Sequence, residues 1–473
     1  MESTTIYNNK NKWVILLIVL MVTFMATLDG SIVNVALPVM AKTLNVTSAS
    51  IQLVVTSYLI IISATILVFG RLGDMVGKTK VFKFGIALFT LGSLLCGITE
   101  AFPFLVLSRV IQAIGAAGTM ANNQGIITEV FPPNERGRAL GITGTFVALG
   151  SLLGPPIGGF IVDAGRWEYI FLINVPIGII TLFLCFKLLP KATETIRGKL
   201  DGFGALLIIF TIVPLFFALS KGQELGFTNP IIWLSFFVAI AAFIIFIIVE
   251  KKHETPLLQL QIFKNKLFSL SIFCAFLSFI AIFCSNIIQP FYIQDIMKFS
   301  PSTSGLVLMI YPLVLSVIAP ISGYLSDKIG SEVLTLIGLS LTSLGLFLMS
   351  TLTEYSTIIG MALFTAIMAL GNGLFQAPNN SLVMSTVPRD KLGIAGSINA
   401  LTRNLGMITG IALSTTILYN RMSYKLGYNV TNFVVGRNDA FIYGMRMVYI
   451  VGASICLVGV ILTSLRLFGR KTK

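Results

Sequence analysis

Fourteen mostly apolar runs recur along the 473-residue chain, each about as long as a bilayer crossing. A hydrocarbon core about 30 Å thick takes roughly 20 residues in helical form, and lipid offers nothing to bond a free backbone amide. The runs fall at about 13–39, 50–70, 80–99, 103–128, 138–162, 169–189, 202–219, 230–249, 268–292, 303–326, 332–351, 355–379, 393–418 and 441–465. Each is bounded by charge, Gly or Pro. The chain is 55% hydrophobic and 11% charged with a mean hydropathy of +0.91, whereas soluble domains carry about 25% charged residues. A soluble protein is excluded, and the expected class is an all-α integral membrane protein.

The net charge of +14 does not point to nucleic acid, because the basic residues are scattered through short connections instead of forming a stripe. They report topology. With an even number of crossings both termini share one side, and placing that side in the cytoplasm puts 23 of the 33 Lys and Arg in inner segments. The expectation is a multi-pass protein of the cell membrane with cytoplasmic termini. The first apolar run is too long for a cleaved signal. All five cysteines lie inside apolar runs without the paired spacing of a zinc site or disulfide framework, and the single histidine, His253, sits in a charged connection. Neither a metal nor a cofactor is expected.

The chain repeats itself. The segment GRLGDMVGK at 70–78 recurs as GYLSDKIGS at 323–331, a spacing of 253 residues, and the same spacing relates LNVTSAS at 44–50 to MKFSPST at 297–303. Asn122, Asn123 and Pro132 likewise match Asn379, Asn380 and Pro388 at spacings of 256 to 257. The expected organisation is a six-helix bundle over 1–190, two inserted central helices with their linkers over 191–266, and a second six-helix bundle over 267–473. Parallel repeats around a central site are a route to alternating access.

Four motifs, in order on the expected helices, resemble the fourteen-helix drug:proton antiporters of the major facilitator superfamily (EmrB/QacA type). They are LDGSIVNVALP at 28–38, GRLGDMVGK at 70–78, LSRVIQAIGAAGT at 107–119 and GSLLGPPIGGF at 150–160. Ala113 stands where that family usually has Gly. The resemblance implies the major facilitator fold and transport coupled to protons. The 150–160 motif is associated with export, giving a multidrug efflux antiporter of the kind that confers antibiotic resistance.

The motifs also have physical readings. Gly150, Gly154, Gly158 and Gly159 lie on roughly one helix face, so a neighbour can approach closely, while Pro155 and Pro156 interrupt the hydrogen-bond ladder. In the loop motif, with Gly70 and Gly77 shaping the backbone, Asp74 just after helix 2 can pair with Arg71 or Lys78, or accept from a helix N-terminus, and latch the cytoplasmic side. Gly77-Lys78-Thr79 imitates the end of a P-loop, but Leu72 stands where its first Gly belongs, so ATP is not the energy source.

Ionisable groups deep in a span are functional candidates by default. Asp29 and Arg109 lie at similar depth and are assigned to proton coupling, while Asn34 and Arg403 are assigned to the substrate pathway. Asp29 has no counterpart in the second repeat, where Ile282 occupies its place. The expected substrates are small lipophilic compounds, often cationic, because aromatic residues at 11% can line an apolar pocket. A proton-coupled exporter or importer of one metabolite on the same fold is the alternative. An enzyme is excluded by the absence of GxSxG, HExxH or a metal cluster.

The helix count generates a test: a topology reporter inserted at 221–228 should lie outside the cell, whereas one at 191–199 should lie inside. A cytoplasmic signal from 221–228 would remove the two inserted helices.

Overall fold

A computed structural model describes residues 11–189, 201–252, 257–258, 260–388 and 392–471, which form helices and connections with no strand among them. The 190–200 connection and His253 lie outside the described residues. In chain order the first six long helices are α1 (Lys12–Thr43), α2 (Leu53–Val76), α3 (Lys78–Ile98), α4 (Phe102–Val130), α5 (Pro133–Asp163) and α6 (Tyr169–Leu188). The inserted pair is α7 (Gly202–Leu225) and α8 (Pro230–Lys252). The last six are α9 (Lys266–Asn286), α10 (Pro301–Leu308 continuing as Ile310–Ile329), α11 (Ser331–Met349), α12 (Ile358–Ser385), α13 (Leu392–Leu426) and α14 (Asn438–Lys471). Thirteen of these are long and apolar enough to cross a membrane. The fourteenth, α13, is more polar because Asn399, Thr402, Arg403 and Asn404 cluster in its first half.

The helix ends differ from the sequence expectation where polar residues remain helical. The α13 helix runs on to Leu426 through Asn420, Arg421, Ser423 and Lys425, so hydropathy stops before the backbone does. The segment 70–78 is not a loop. Asp74 belongs to the last turn of α2, Lys78 begins α3, and Gly77 alone joins them with φ of +103°. Gly330 makes the same joint between α10 and α11 with φ of +90°, a backbone that a side chain would strain.

Each bundle is tied by the same glycine crossing. A Cβ on Gly92 of α3 would lie 2.5 Å from the Gln112 nitrogen of α4, and one on Gly115 would lie 2.3 Å from the Phe89 nitrogen. In the second bundle a Cβ on Gly338 of α11 would lie 2.5 Å from the Phe375 nitrogen of α12, and one on Gly371 would lie 2.3 Å from the Thr342 nitrogen. Gly85 and Gly338 are repeat equivalents, as are Gly115 and Gly371. Backbone thus packs on backbone in both halves, as small residues permit where lipid offers no hydrophobic drive to association.

The bundles meet through α5 against α10 and α2 against α13, and α7 leans on both α2 and α13. If the face where α1 begins is called inner, every hydrogen bond and ion pair between the bundles among the described residues lies toward the outer face. Lys42 Nζ reaches the Asp295 carboxylate at 2.7 Å, Gln294 donates to the Val35 carbonyl at 2.9 Å, and the Ser48 amide donates to Asn432 at 2.6 Å. Ser302 bonds Asp163, and Thr415 bonds Gln52. Toward the inner face each bundle keeps a core of its own. One joins Ile15–Val22 of α1 to Phe82, Ile127, Ala139 and Cys185; the other joins Phe268 and Ile272 to Val383 and Ile398. The molecule is sealed outside and parted inside.

Lys42 and Asp295 stand 253 residues apart, so equivalent positions of the two repeats meet at the seal. Cysteines at both positions should cross-link under oxidation and arrest transport, with recovery on reduction. Full transport by the cross-linked protein would mean that this end never opens.

Candidate functional site

The centre of the first bundle is built around Asp29, in the middle of α1. Its carboxylate is fully buried and accepts three hydrogen bonds: from Arg109 Nη1 at 2.7 Å, from Gln112 Nε2 at 2.8 Å and from Asn174 Nδ2 at 2.9 Å. Arg109 in turn donates to the Val54 carbonyl at 2.9 Å and to Gln112 Oε1 at 2.6 Å. Gln112 also donates to Ser93 at 2.8 Å. The guanidinium carbon lies 4.1 Å from the Tyr58 ring centroid and 5.5 Å from that of Phe171. One ion pair therefore links α1, α2, α3, α4 and α6.

A buried pair repays its desolvation only when the remaining polar valences are met. Here Gln112 and Asn174 meet those of Asp29. The sequence paired Asp29 with Arg109 by depth alone and missed Gln112, Asn174 and Tyr58. Gln112 carried a signal, since it lies three residues after Arg109 on the same helix face. Asn174 and Tyr58 carried none beyond being polar within apolar runs.

The opposite side of α1 is open. Gly30 is exposed with nothing within 4 Å of where a Cβ would stand, and Asn34, one turn on, is half-buried with its Oδ1 unbonded among the described residues. Asp29 itself faces away from this opening. Exposed polar side chains lie toward the inner ends of helices in both bundles. They include Gln124 on α4 and Asn380 on α12, the latter accepting from Asn399 of α13 at 2.9 Å. Polar side chains within spans are tolerated beside water or protein and not beside lipid, which fits the parting of the two bundles toward the inner face.

Arg403 lies about eleven residues into α13, or about 16 Å at 1.5 Å per residue. It is half-buried and makes no hydrogen bond or ion pair with any described residue. Asn404 beside it is buried, with its Nδ2 unbonded. Asp29 and Arg109 are thus brought together, whereas Arg403 belongs to the other bundle and stands apart from them.

The glycines of α5 divide into two sets. Cβ atoms on Gly150 and Gly154 would strike Thr27 and Ser31 of α1, and one on Gly158 would lie 2.7 Å from Ile32. Gly159 is rotated off that face by about 100°, one residue further along the helix. A Cβ there would lie 2.5 Å from the Pro301 carbonyl of α10, and Gly305 of α10 packs on the Pro155 carbonyl in the same way. The expectation of a single face is corrected: one row packs within its bundle, and the Pro155–Gly159 pair touches the other bundle.

In the α2–α3 joint, Lys78 reaches Glu129 at 2.6 Å and Asp74 at 3.4 Å, all at the inner end of the first bundle. Asp74 therefore pairs with Lys78 and not with Arg71, whose Nε is buried without a hydrogen bond among the described residues. Gly70 packs near Ala121. The side chain of Asp327 in the second repeat lies outside the described set. Among the described residues no group of three or more metal-ligating side chains gathers anywhere.

Comparison with known proteins agrees with this architecture. The family model of the Major Facilitator Superfamily matches residues 19–411 and 271–473. The riboflavin transporter RibZ of Clostridioides difficile is 35% identical over 98% of this chain and 99% of its own. Multidrug resistance protein 3 of Bacillus subtilis is 31% identical over 93% of this chain and 84% of its own. The multidrug export protein EmrB of Haemophilus influenzae is 29% identical over 84% and 79%. Among solved structures, a bacterial homologue of the human lysosomal transporter Spinster, in an inward-facing and occupied conformation, superposes with a TM-score of 0.69 at 16% identity over 97% of both chains. With its two six-helix bundles and a family match along nearly its whole length, the chain belongs to the major facilitator superfamily of membrane transporters.

Proposed function

We propose that this transporter exports small lipophilic compounds from the cytoplasm in exchange for protons, by rocking its two bundles so that the outer seal opens as the inner side closes. The observation that carries the reading is the double contact of α5: its glycine row packs on α1 while Pro155 and Gly159 pack on α10. A surface of small residues lets two helices stay close while their angle changes. The export-associated motif therefore lies where the bundles must pivot. The multidrug proteins among its relatives support the same direction.

Asp29 is the proposed proton-linked group, because among the described residues it is the one carboxylate in the middle of a span. Protonation removes its charge and with it the strongest attraction between α1 and α4, leaving Arg109 held by Val54 and Gln112. A proton taken from outside would thus loosen the first bundle near the pivot, and its release inside would tighten it. A second reading, transport of one metabolite, has its own support in the riboflavin transporter matched along nearly the full chain.

Inside-out vesicles with an imposed pH gradient separate these readings. Gradient-driven uptake of several unrelated dyes supports broad export, uptake of riboflavin alone supports the metabolite reading, and no uptake with either removes export. Asp29→Asn should insert and fold yet lose gradient-driven flux while keeping exchange of substrate across the membrane. If Asp29 only holds the bundle together, the variant will instead lower the melting temperature, and adding Arg109→Gln will partly restore it. Gly154→Leu should abolish flux with normal membrane insertion, because a Cβ there already meets Ser31 and lies 3.1 Å from the Ile32 nitrogen of α1; wild-type flux by that protein would remove the α1–α5 glycine row from the mechanism.

A further inference from the structure

The charges buried in the spans are not balanced where a substrate would pass. Asp29, the mid-span carboxylate, is sealed at 0% exposure and neutralised by Arg109, so it offers no anion to a cationic ligand. The other described carboxylates near the seal or the inner ends are engaged. Asp295 is held by Lys42, Asp163 by Ser302, Glu129 by Lys78, and Glu250 by the amides of Leu257 and Leu258. Arg403 has no such partner among the described residues. It lies near mid-membrane on α13, a helix that packs against α2 of the opposite bundle at the outer end of the cleft between the bundles.

An unpaired guanidinium in a span is tolerated facing water or a counter-ion, not lipid. Arginine also presents a rigid fork of donors that matches a carboxylate or phosphate. Asn404 adjoins it with an unbonded amide, and Asn399, one turn earlier, bonds Asn380. The inner connections that lead to this point hold most of the chain's Lys and Arg, which raises the local concentration of anions at an inward opening.

We propose that Arg403 is the docking point for a negatively charged group, so that the preferred substrates are amphiphilic organic anions with an apolar body and one carboxylate or phosphate. This rests on the reading of the cleft as the substrate path. It replaces the expectation of cationic substrates, which the sealed Asp29 cannot serve.

A series sharing one fluorophore tests it: dansylglycine (anionic), dansylamide (neutral) and dansylcadaverine (cationic), titrated against the full chain in lipid nanodiscs without a gradient. The wild type should bind dansylglycine about tenfold or more tightly than dansylcadaverine, the ratio expected for one charge-assisted hydrogen bond. Arg403→Gln should lose that advantage and leave dansylamide nearly unchanged, while Arg403→Lys should keep most of it. Three results would overturn the proposal: preference of the wild type for dansylcadaverine, no binding of dansylglycine, or equal loss of all three probes in Arg403→Gln together with a lower melting temperature. Equilibrium binding needs no pump, so export can fail in vesicles while anion docking stands, and the reverse.

Discussion

The bilayer leaves a backbone amide nothing to bond except its own helix, and the rest of this structure follows from that constraint. Every crossing is helical, so helices must recognise one another without the hydrophobic effect that drives association in water. Close backbone approach takes its place. Gly85, Gly92 and Gly115 draw α3 against α4, and Gly338, Gly345 and Gly371 do the same for α11 and α12 at equivalent points of the repeat. The duplicated sequence thus produces duplicated packing, and two bundles of like construction can move as bodies.

Movement requires that the bundles be bound to each other less tightly than within themselves. Toward the inner face they keep separate cores, and the hydrogen bonds between them gather at the outer face. The seal uses equivalent residues of opposite charge, Lys42 and Asp295, which approximate two-fold symmetry brings face to face. Lys42 is largely exposed at the side chain, so the attraction is screened and inexpensive to break. The Asp29–Arg109 pair is the contrary case: sealed from water and saturated with hydrogen bonds, it is costly to break and holds one bundle together.

The two halves differ in their charged residues within the spans. Asp29 is matched by Ile282 in the second repeat, and Arg403 stands in that second half. The repeated packing makes the two bundles alike, while these charges set them apart. Under the proposed assignments, the buried carboxylate of one bundle and the half-buried guanidinium of the other would act on separate ligands through one movement.

The helical spans, the repeat and the superfamily are legible in one dimension, because span length, internal spacing and the motifs of α1, α2, α4 and α5 are all linear signals. The sequence also matched Asp29 with Arg109 from depth, since rise per residue converts position into height. It could not assign azimuth. Gly159 adjoins the row of Gly150, Gly154 and Gly158 and yet turns toward α10, and Asp74 is helical because the single residue Gly77 makes the joint. That Asn174 and Gln112 complete the Asp29 network, and that Lys42 meets Asp295, emerges from the packed helices alone. So does the joining of the bundles at one face and their parting at the face where α1 begins. Those facts depend on which helices are neighbours and at what rotation, and contacts between residues more than eighty positions apart leave no trace in local pattern.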